Sequence, residues 1–228
     1  MNRGLIVFAR KPVAGLVKTR IARDMGTRAA TELYAAMLED VLERSADLDG
    51  VRTLVFWALE AGEPPDYPAL PCLEMLKQCG STLGERMANA FDTAFSSGIE
   101  SCCIIGSDSP DLPRQHIQQA FRMLERDRTD IVIGPAVDGG YYLLGMKHLW
   151  GRLFEDIPWS SAQVLKASCE RASELGLKTT LLPGWYDIDT LDDLRKLANT
   201  ADMEAPRTRR AIRLLTTISP LPQQAGAP

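Results

Sequence analysis

Short apolar runs that end abruptly in polar loops are the feature that most restricts the fold of this chain. The clearest are Leu5–Ala9 and Ser101–Ile105. A run without polar alternation is typical of a strand buried on both faces, and such strands belong to parallel sheets covered by helices. Between the runs, apolar residues recur at helical spacing, as they do from Thr27 to Asp47, and this predicts amphipathic helices.

The alternation of strands and helices continues along most of the chain. The sequence predicts further strands at Val51–Leu59, Leu73–Cys79, Asp130–Ile133, Tyr141–Met146 and Thr179–Leu182, and further helices at Leu83–Ser96, Gln115–Glu125, Ser161–Leu175, Leu191–Ala198 and Arg207–Leu215. The four prolines of Glu63–Pro71 predict a loop. Strands separated by helices imply right-handed crossovers. We therefore expect one α/β domain over residues 1–218, with a mostly parallel, helix-flanked sheet, and a frayed tail over residues 219–228.

The charge balance and the cysteines exclude several functional classes. The 26 basic and 30 acidic residues give a net charge of −4, which argues against broad electrostatic binding to DNA or RNA. The five cysteines have no CxxC spacing, so neither a disulfide framework nor a zinc site is expected. The apolar run before Arg10 is too short for a signal peptide or a membrane span. The expected location is the cytoplasm, without a membrane or nucleic-acid partner.

The loop after the first predicted strand, ARKPVAGLVKTR, concentrates positive charge around a glycine. Ligands of a parallel sheet bind where its strands end, and cations beside the N–H groups of a helix start suit a di- or triphosphate. The candidate phosphate ligands are therefore Arg10, Lys11, Gly15, Lys18 and Arg20. The glycines of a Walker A loop and of a dinucleotide-binding fingerprint are absent. A solvated basic turn is the alternative interpretation.

Two acidic loops are expected near the same edge of the sheet. Asp108 follows the second apolar run, and Asp189 lies in the segment WYDIDTLDDL. Carboxylate oxygens near phosphates commonly hold Mg²⁺ or Mn²⁺. Asp108 and Asp189 are therefore the candidate metal ligands, and Asp187 is a weaker candidate than Asp189. Asp111 is instead expected to cap the helix that begins near Pro113. Simple helix capping is also the alternative for the segment around Asp189.

A glycine-rich segment, GPAVDGGYYLLG, lies between these two loops in the sequence. Gly139 and Gly140 permit conformations and close approaches that side chains forbid, and Tyr141 can stack or form a hydrogen bond. We interpret the segment as an acceptor-substrate loop with Asp138 as a general base. A hairpin turn at Asp-Gly is the alternative. Arg86, in the first turn of a predicted helix, could reach a phosphate or a sugar, although an ion pair on the helix surface is an equal possibility.

Five motifs occur in an order known from one family of transferases. They are FARKPVAGLVKTR, LGERM, GSDSPDL, GPAVDGGYYLLG and DIDTLDDL. Over roughly residues 4–198, the chain resembles the rSAM/selenodomain-associated transferase 1 proteins, which belong to the GT-A-like nucleotide-diphospho-sugar transferase superfamily. The resemblance implies a GT-A or Rossmann-like sheet that holds a nucleoside di- or triphosphate.

The resemblance also assigns roles to individual residues. Gly15, Lys18 and Arg20 match the phosphate loop. Asp108 matches the Asp that binds a divalent ion at the end of the central strand. Asp189 matches the Asp of a motif found in sugar-nucleotide synthetases. The segment Asp138-Gly139-Gly140 resembles a substrate loop of phospholactate guanylyltransferases.

These assignments imply a metal-dependent transferase that uses a nucleotide-activated donor and a small-molecule acceptor. Glycosyl transfer from a nucleotide-diphospho-sugar is the favoured activity, with charge stabilisation by Lys18 and proton removal by Asp138. Pro110 replaces the second carboxylate of the Asp-x-Asp motif of many glycosyltransferases. Nucleotidyl transfer from an NTP to a phosphorylated acceptor, with release of pyrophosphate, is therefore an alternative. A nucleotide-binding module without catalysis is a third possibility.

Overall fold

The centre of the fold is a seven-stranded sheet. The computed structural model describes residues 2–59, 72–200 and 204–218. The strands are β1 (Arg3–Arg10), β2 (Val51–Ala58), β3 (Glu74–Lys77), β4 (Ser101–Gly106), β5 (Ile131–Pro135), β6 (Tyr141–Met146) and β7 (Thr179–Leu181). Their order across the sheet is β3-β2-β1-β4-β6-β5-β7. The predicted α/β class with a mostly parallel sheet is confirmed.

One strand runs against the others. β1 pairs in parallel with β2 and β4, β2 with β3, and β5 with β7. β6 is antiparallel to both β4 and β5. The carboxyl ends of the parallel strands and the start of β6 therefore lie at one edge of the sheet, which we call the carboxyl edge.

Helices cover both faces of the sheet. They are α1 (Thr19–Met25), α2 (Thr27–Ala46), α3 (Leu83–Ser96), α4 (Arg114–Leu124), α5 (Val164–Glu174), α6 (Leu191–Ala198) and α7 (Pro206–Ile218), with a 3-10 helix at Gly151–Phe154. On β1, Leu5 and Val7 belong to a core cluster shared with α2 and α4. Ile6 belongs to the opposite cluster, which includes residues of α3 and α5. This alternation follows from the two-residue period of a strand.

A third apolar cluster joins four helices beside the sheet. Ile21 of α1, Leu33 of α2, Leu194 of α6 and Ile212 of α7 all contribute to it. Ile188, which is fully buried, extends the cluster to the segment just before α6. This packing fixes the starts of α1 and α6 relative to one another, and both starts border the carboxyl edge.

Most predicted elements are present with bounds that differ from the predicted ones by at most three residues. The short helix α1 and the 3-10 helix were not predicted, and the antiparallel direction of β6 was implied only by the hairpin alternative for the segment before it. The predicted loop Glu63–Pro71 and the predicted tail 219–228 lie outside the described residues. Cys102 and Cys103 are buried, and all five cysteines are free thiols. In the part of the chain that the structure describes, no helix is both long and apolar enough to cross a membrane.

Candidate functional site

A buried lysine joins two carboxylates at the carboxyl edge. The Nζ atom of Lys18 lies 2.5 Å from Oδ1 of Asp108 and 3.0 Å from Oδ1 of Asp189. The Lys18 side chain is only 3% exposed, whereas each carboxylate is 47% exposed. Residues far apart in the sequence thus meet at one point, as expected from the rule that strand ends converge there.

The backbone of the loop after β1 turns Lys18 inward. Lys18 has left-handed dihedrals, with φ 46° and ψ 44°, immediately before α1. Gly15 also has a positive φ, of 84°, which a glycine adopts without strain. Val17 is buried in the core cluster on one face of the sheet, while Leu16 is 60% exposed. The buried Val17 anchors the loop, and the left-handed residue after it directs its side chain towards Asp108.

A buried tyrosine of α2 ties the ends of β1 and β4 together. The hydroxyl of Tyr34 accepts a hydrogen bond from the backbone N of Arg10 at 3.1 Å and lies 2.9 Å from Oγ of Ser107. Burial raises the pKa of Tyr34, so the phenol keeps its proton at neutral pH. The loops that carry Lys18 and Asp108 are therefore attached to the same helix.

A backbone N–H group and one serine hydroxyl, whose single proton is shared between two acceptors, hold the two acidic segments side by side. The backbone N of Ile188 donates to the carbonyl oxygen of Asp108 at 2.9 Å. Oγ of Ser109 lies 2.9 Å from the carbonyl oxygen of Tyr186 and 2.6 Å from Oδ1 of Asp187. Ser109 is buried, so water does not compete for these bonds.

The start of α6 fixes the position of Asp189. Thr190 and Asp193 form a reciprocal capping box, in which Thr190 N donates to Asp193 Oδ2 at 3.0 Å and Asp193 N donates to Thr190 Oγ1 at 3.3 Å. The helix is thus capped by Thr190 and Asp193. The side chain of Asp189 is left to face Lys18. The alternative of simple helix capping is therefore correct for Thr190 and Asp193 of this segment, whereas the carboxylate of Asp189 pairs with Lys18.

The electrostatics of the cluster follow from partial burial. Burial alone would lower the pKa of the Lys18 ammonium, but the charges of Asp108 and Asp189 more than offset it, so this pKa is raised. Burial raises the pKa of Asp187 to about 6, with further contributions from the carboxylates of Asp108, Asp138 and Asp189. Lys18 therefore remains charged at neutral pH, and the four carboxylates interact with one another.

The glycine-rich segment is a tight turn between β5 and β6, as the hairpin interpretation predicts. Oδ1 of Asp138 accepts a hydrogen bond from Gly140 N at 2.9 Å. Gly139 has a φ of 92°, and a Cβ atom there would overlap the carbonyl oxygen of Ala162. Leu165 N donates to the carbonyl oxygen of Gly139 at 2.9 Å. The turn is therefore packed against the chain leading into α5, and its role in binding a substrate stays a prediction.

Arg86 and Tyr141 have partners within the protein. Arg86 donates from Nε to the carbonyl oxygen of Gly80 at 3.0 Å. The ring of Tyr141 packs edge-on against Trp159, with centroids 6.4 Å apart, and its hydroxyl lies 3.8 Å from Sδ of Met87. Their predicted contacts with a substrate stay predictions.

The capping role predicted for Asp111 is wrong. α4 begins after Pro113 without a side-chain cap. Oδ2 of Asp111 instead accepts a hydrogen bond from the hydroxyl of Tyr186 at 2.5 Å. A partner about 75 residues away in the sequence satisfies this carboxylate, so the local capping pattern was misleading.

Residues 41–161 match the DUF2064 family, described as uncharacterized proteins conserved in bacteria. The chain belongs to this family. It also resembles a proposed nucleotide-diphospho-sugar transferase from Desulfovibrio desulfuricans G20, with 30% identity and a TM-score of 0.88. That match covers 95% of this chain and 96% of the other. Both findings support the predicted superfamily, whereas the narrower rSAM-associated family stays a prediction.

More distant solved structures share the fold of this DUF2064 protein. A CMP:2-keto-3-deoxy-manno-octonic acid synthetase in complex with CTP is 11% identical, with a TM-score of 0.53, over 86% of this chain and 97% of the other. Rv0371c from Mycobacterium tuberculosis H37Rv, in complex with manganese, is 15% identical, with a TM-score of 0.51, over 88% and 99%. At these identities the likeness concerns the fold alone. No curated protein matches the sequence.

The donor set at Lys18 suits a hard divalent cation. Asp108 and Asp189 each bring a half-exposed carboxylate to the same point, and Mg²⁺ is commonly bound by one or two carboxylates together with substrate phosphates and water. Among the described residues, no three His, Cys, Asp or Glu side chains are grouped so that they could hold a metal ion. The residues present fit a cation shared between the DUF2064 chain and a bound phosphate.

Sequence reasoning missed the residues that support this site. Tyr34 lies on the face of α2 that packs against the sheet, and helical periodicity alone marks it only as a core residue. Ser109 stands between two singled-out residues, Asp108 and Pro110, but nothing in the motif indicates that its hydroxyl contacts a segment almost 80 residues later. Both supporting contacts depend on tertiary structure.

Proposed function

We propose that this DUF2064 protein is a metal-dependent transferase that takes its donor from a nucleotide-activated compound. The observation that carries the proposal is the ammonium of Lys18 shared by Asp108 and Asp189 at 2.5 and 3.0 Å. One cation already fits between these carboxylates. The same edge of the sheet also carries exposed basic residues, Arg10 and Arg20.

The loop after β1 would bind the phosphates of the donor. Lys18 and Arg20 would hold the phosphate oxygens and stabilise negative charge on the leaving group. Arg10 and Lys11 would add positive charge, and Gly15 would allow the exposed turn between Lys11 and Lys18. A Mg²⁺ or Mn²⁺ ion held by Asp108 and Asp189 would supply further charge neutralisation on the phosphates.

Glycosyl transfer is the favoured form of the reaction. An acceptor oxygen would attack the anomeric carbon of a nucleotide-diphospho-sugar. The bond from that carbon to the diphosphate oxygen would break, and the nucleoside diphosphate would leave. Asp138, which is exposed at the turn between β5 and β6, would take the proton from a small hydroxyl-bearing acceptor. The 30% identity to a proposed nucleotide-diphospho-sugar transferase supports this form.

Nucleotidyl transfer is the second candidate, and one feature of the loop after β4 favours it. Pro110 is buried and occupies the place of the second carboxylate of an Asp-x-Asp motif. In this form, a phosphate oxygen of the acceptor would attack the α-phosphorus of an NTP. The bond between the α-phosphorus and the bridging oxygen would break, and pyrophosphate would leave. A phosphate nucleophile needs no base, so Asp138 would contribute little.

The test combines donor binding with analysis of the products. The full-length protein is screened with UDP-sugars, GDP-sugars and the four NTPs, with and without Mn²⁺, by calorimetry. Candidate acceptors are then added, and released nucleoside diphosphate or pyrophosphate is measured. Glycosyl transfer predicts release of nucleoside diphosphate and a large loss of activity in Asp138→Asn. Nucleotidyl transfer predicts release of pyrophosphate and only a small loss of activity in the same variant.

A matched pair of variants tests the ligand assignment. Asp108→Asn should lower metal-dependent activity by on the order of 10²–10³-fold, because an amide does not supply the negative charge that a cation requires. Asp192→Asn makes the same chemical change on α6, where Asp192 pairs with Arg195 at 2.6 Å, and should leave activity unchanged. Full activity of Asp108→Asn would refute the assignment. Donor binding that is never followed by product would support the binding module instead.

A further inference from the structure

The ammonium of Lys18 lies at the position that the proposed cation requires. It is directed at Oδ1 of Asp108 and Oδ1 of Asp189, the two carboxylates that would bind the metal. The Lys18 side chain is almost completely buried, whereas both carboxylates are open to solvent on one side. In the free protein, the lysine therefore acts as the counter-ion of the pair.

A bare divalent cation would have to compete with this ammonium. The two positive charges cannot share the same oxygen atoms without strong repulsion, since charges at contact distance in a partly buried site are poorly screened. A buried ammonium that loses both carboxylates also loses the interactions that offset its desolvation. Displacement by the metal alone is therefore unfavourable.

A phosphate that arrives with the metal removes this obstacle. Phosphate oxygens accept hydrogen bonds from an ammonium as well as carboxylates do, so Lys18 would exchange one set of anionic partners for another. The exposed Arg20 lies in the first turn of α1, two residues after Lys18, so the phosphate would meet a second cation there. The carboxylates are then released for the metal.

We propose that the site takes up its cation together with a diphosphate-containing ligand, and that Lys18, by occupying the metal position in the free protein, couples the binding of the two. The inference rests on the proposed function and specifies its substrate as a metal–nucleotide complex. Coupling of this kind is reciprocal: metal and diphosphate each raise the affinity for the other by the same factor.

The experiment measures Mn²⁺ binding to the full-length protein by calorimetry and by the electron paramagnetic resonance signal of free Mn²⁺. Inorganic pyrophosphate serves as the probe, because it carries the diphosphate without a base or a sugar. Its own chelation of Mn²⁺ is calibrated in protein-free solution. In the wild type, pyrophosphate should tighten Mn²⁺ binding by at least tenfold.

Lys18→Met keeps an unbranched side chain that is one atom shorter and removes the charged ammonium. It should bind Mn²⁺ alone at least tenfold more tightly than the wild type and should lose most of the coupling to pyrophosphate. Lys18→Arg keeps the charge and should bind Mn²⁺ alone as weakly as the wild type. Arg23→Met removes the same charge from an exposed position on α1, and should change Mn²⁺ affinity by less than about twofold, because exposed charges are screened.

These measurements show whether the metal must displace Lys18 from the two carboxylates. Equal Mn²⁺ affinities for the wild type and Lys18→Met would overturn the inference. Equal gains in Mn²⁺ affinity for Lys18→Met and Arg23→Met would also overturn it, because they would indicate only a long-range charge effect. If Lys18→Met does not fold, the inference is tested on the wild type alone. Equal Mn²⁺ affinity of the wild type with and without pyrophosphate would overturn the inference. Absence of Mn²⁺ binding in every protein and condition would contradict the proposed function as well.

Discussion

At the scale of single residues, Lys18 has the most unusual environment in the site. An ammonium has three N–H donors, and Lys18 directs two of them at carboxylates on different segments. The loop sequence predicted a cation at this edge of the sheet, and the structure places it there. The meeting of Asp108 and Asp189 beside this loop was predicted as well. Their direct ion pairs with Lys18 were not, because a basic loop does not indicate which of its cations will face a given carboxylate after folding.

His116 provides a pH-dependent prediction at this scale. Its Nδ1 lies 3.0 Å from the hydroxyl of Tyr142, and its ring packs edge-on against Trp185 with centroids 5.3 Å apart. Burial lowers the pKa of His116 below the ordinary value of 6.5. The unfolded chain therefore binds a proton at this residue at a higher pH than the folded chain does, and stability is lost as the pH falls through 6.5.

His116→Asn tests this sign. The amide can still face Tyr142 but does not titrate, so the variant lacks this loss at low pH. We expect the free energy of unfolding of the variant, measured in urea, to lie below that of the wild type at pH 8. The difference in the free energy of unfolding between the wild type and the variant should become smaller at pH 5. A gap that stays constant or widens would contradict the prediction.

At the scale of elements, the sequence predicted best where one physical signal dominates. The buried strands β1 and β4 follow from unbroken apolar runs, and the bounds of α3 and α6 follow from periodicity and capping. α1 has seven residues and only Ile21 is fully buried, too little for a periodic signal. The substrate-loop interpretation of the glycine-rich segment left the direction of β6 open, whereas the hairpin alternative implied the antiparallel pairing with β5 that the structure contains.

The turn between β5 and β6 gives a prediction about backbone geometry. Gly139→Ala should destabilise the protein more than Gly98→Ala, since the two sites differ mainly in the space around a new Cβ atom. Both glycines have φ near 90°, but the site at Gly98 is open, whereas the site at Gly139 meets the backbone of Ala162. For Gly98→Ala, the positive φ alone should lower the free energy of unfolding by about 1–2 kcal/mol. For Gly139→Ala, we expect the free energy of unfolding to fall by roughly twice that amount or more. Urea denaturation of both variants measures the difference, and equal losses would show that Ala162 moves away readily.

At the scale of the whole molecule, the site depends on how four helices pack beside the sheet. Lys18 immediately precedes α1, and Asp189 immediately precedes Thr190, the N-cap of α6. Residues of both helices share an apolar cluster with α2 and α7. The convergence of Lys18 and Asp189 thus follows from helix packing as well as from the sheet. The parallel-sheet rule predicted that the loops meet at one edge, but the helical cluster that sets their spacing appears only in the folded chain.

The attachment of α7 to this cluster provides the last prediction. Asp40, on α2, is 1% exposed, and its carboxylate accepts hydrogen bonds from the backbone N atoms of Arg207 and Thr208 at 3.1 and 2.7 Å. Asp40→Ala leaves these donors at the start of α7 without their acceptor and should lower the free energy of unfolding by about 2 kcal/mol. Asp47→Ala, near the end of the same helix, breaks an ion pair with Arg114 in which Asp47 is 70% exposed, and should cost at most about 1 kcal/mol. Urea denaturation compares the two variants, and hydrogen exchange should show increased opening of α7 in Asp40→Ala only. A loss no larger than that of Asp47→Ala would mean that apolar packing alone holds α7 against α2.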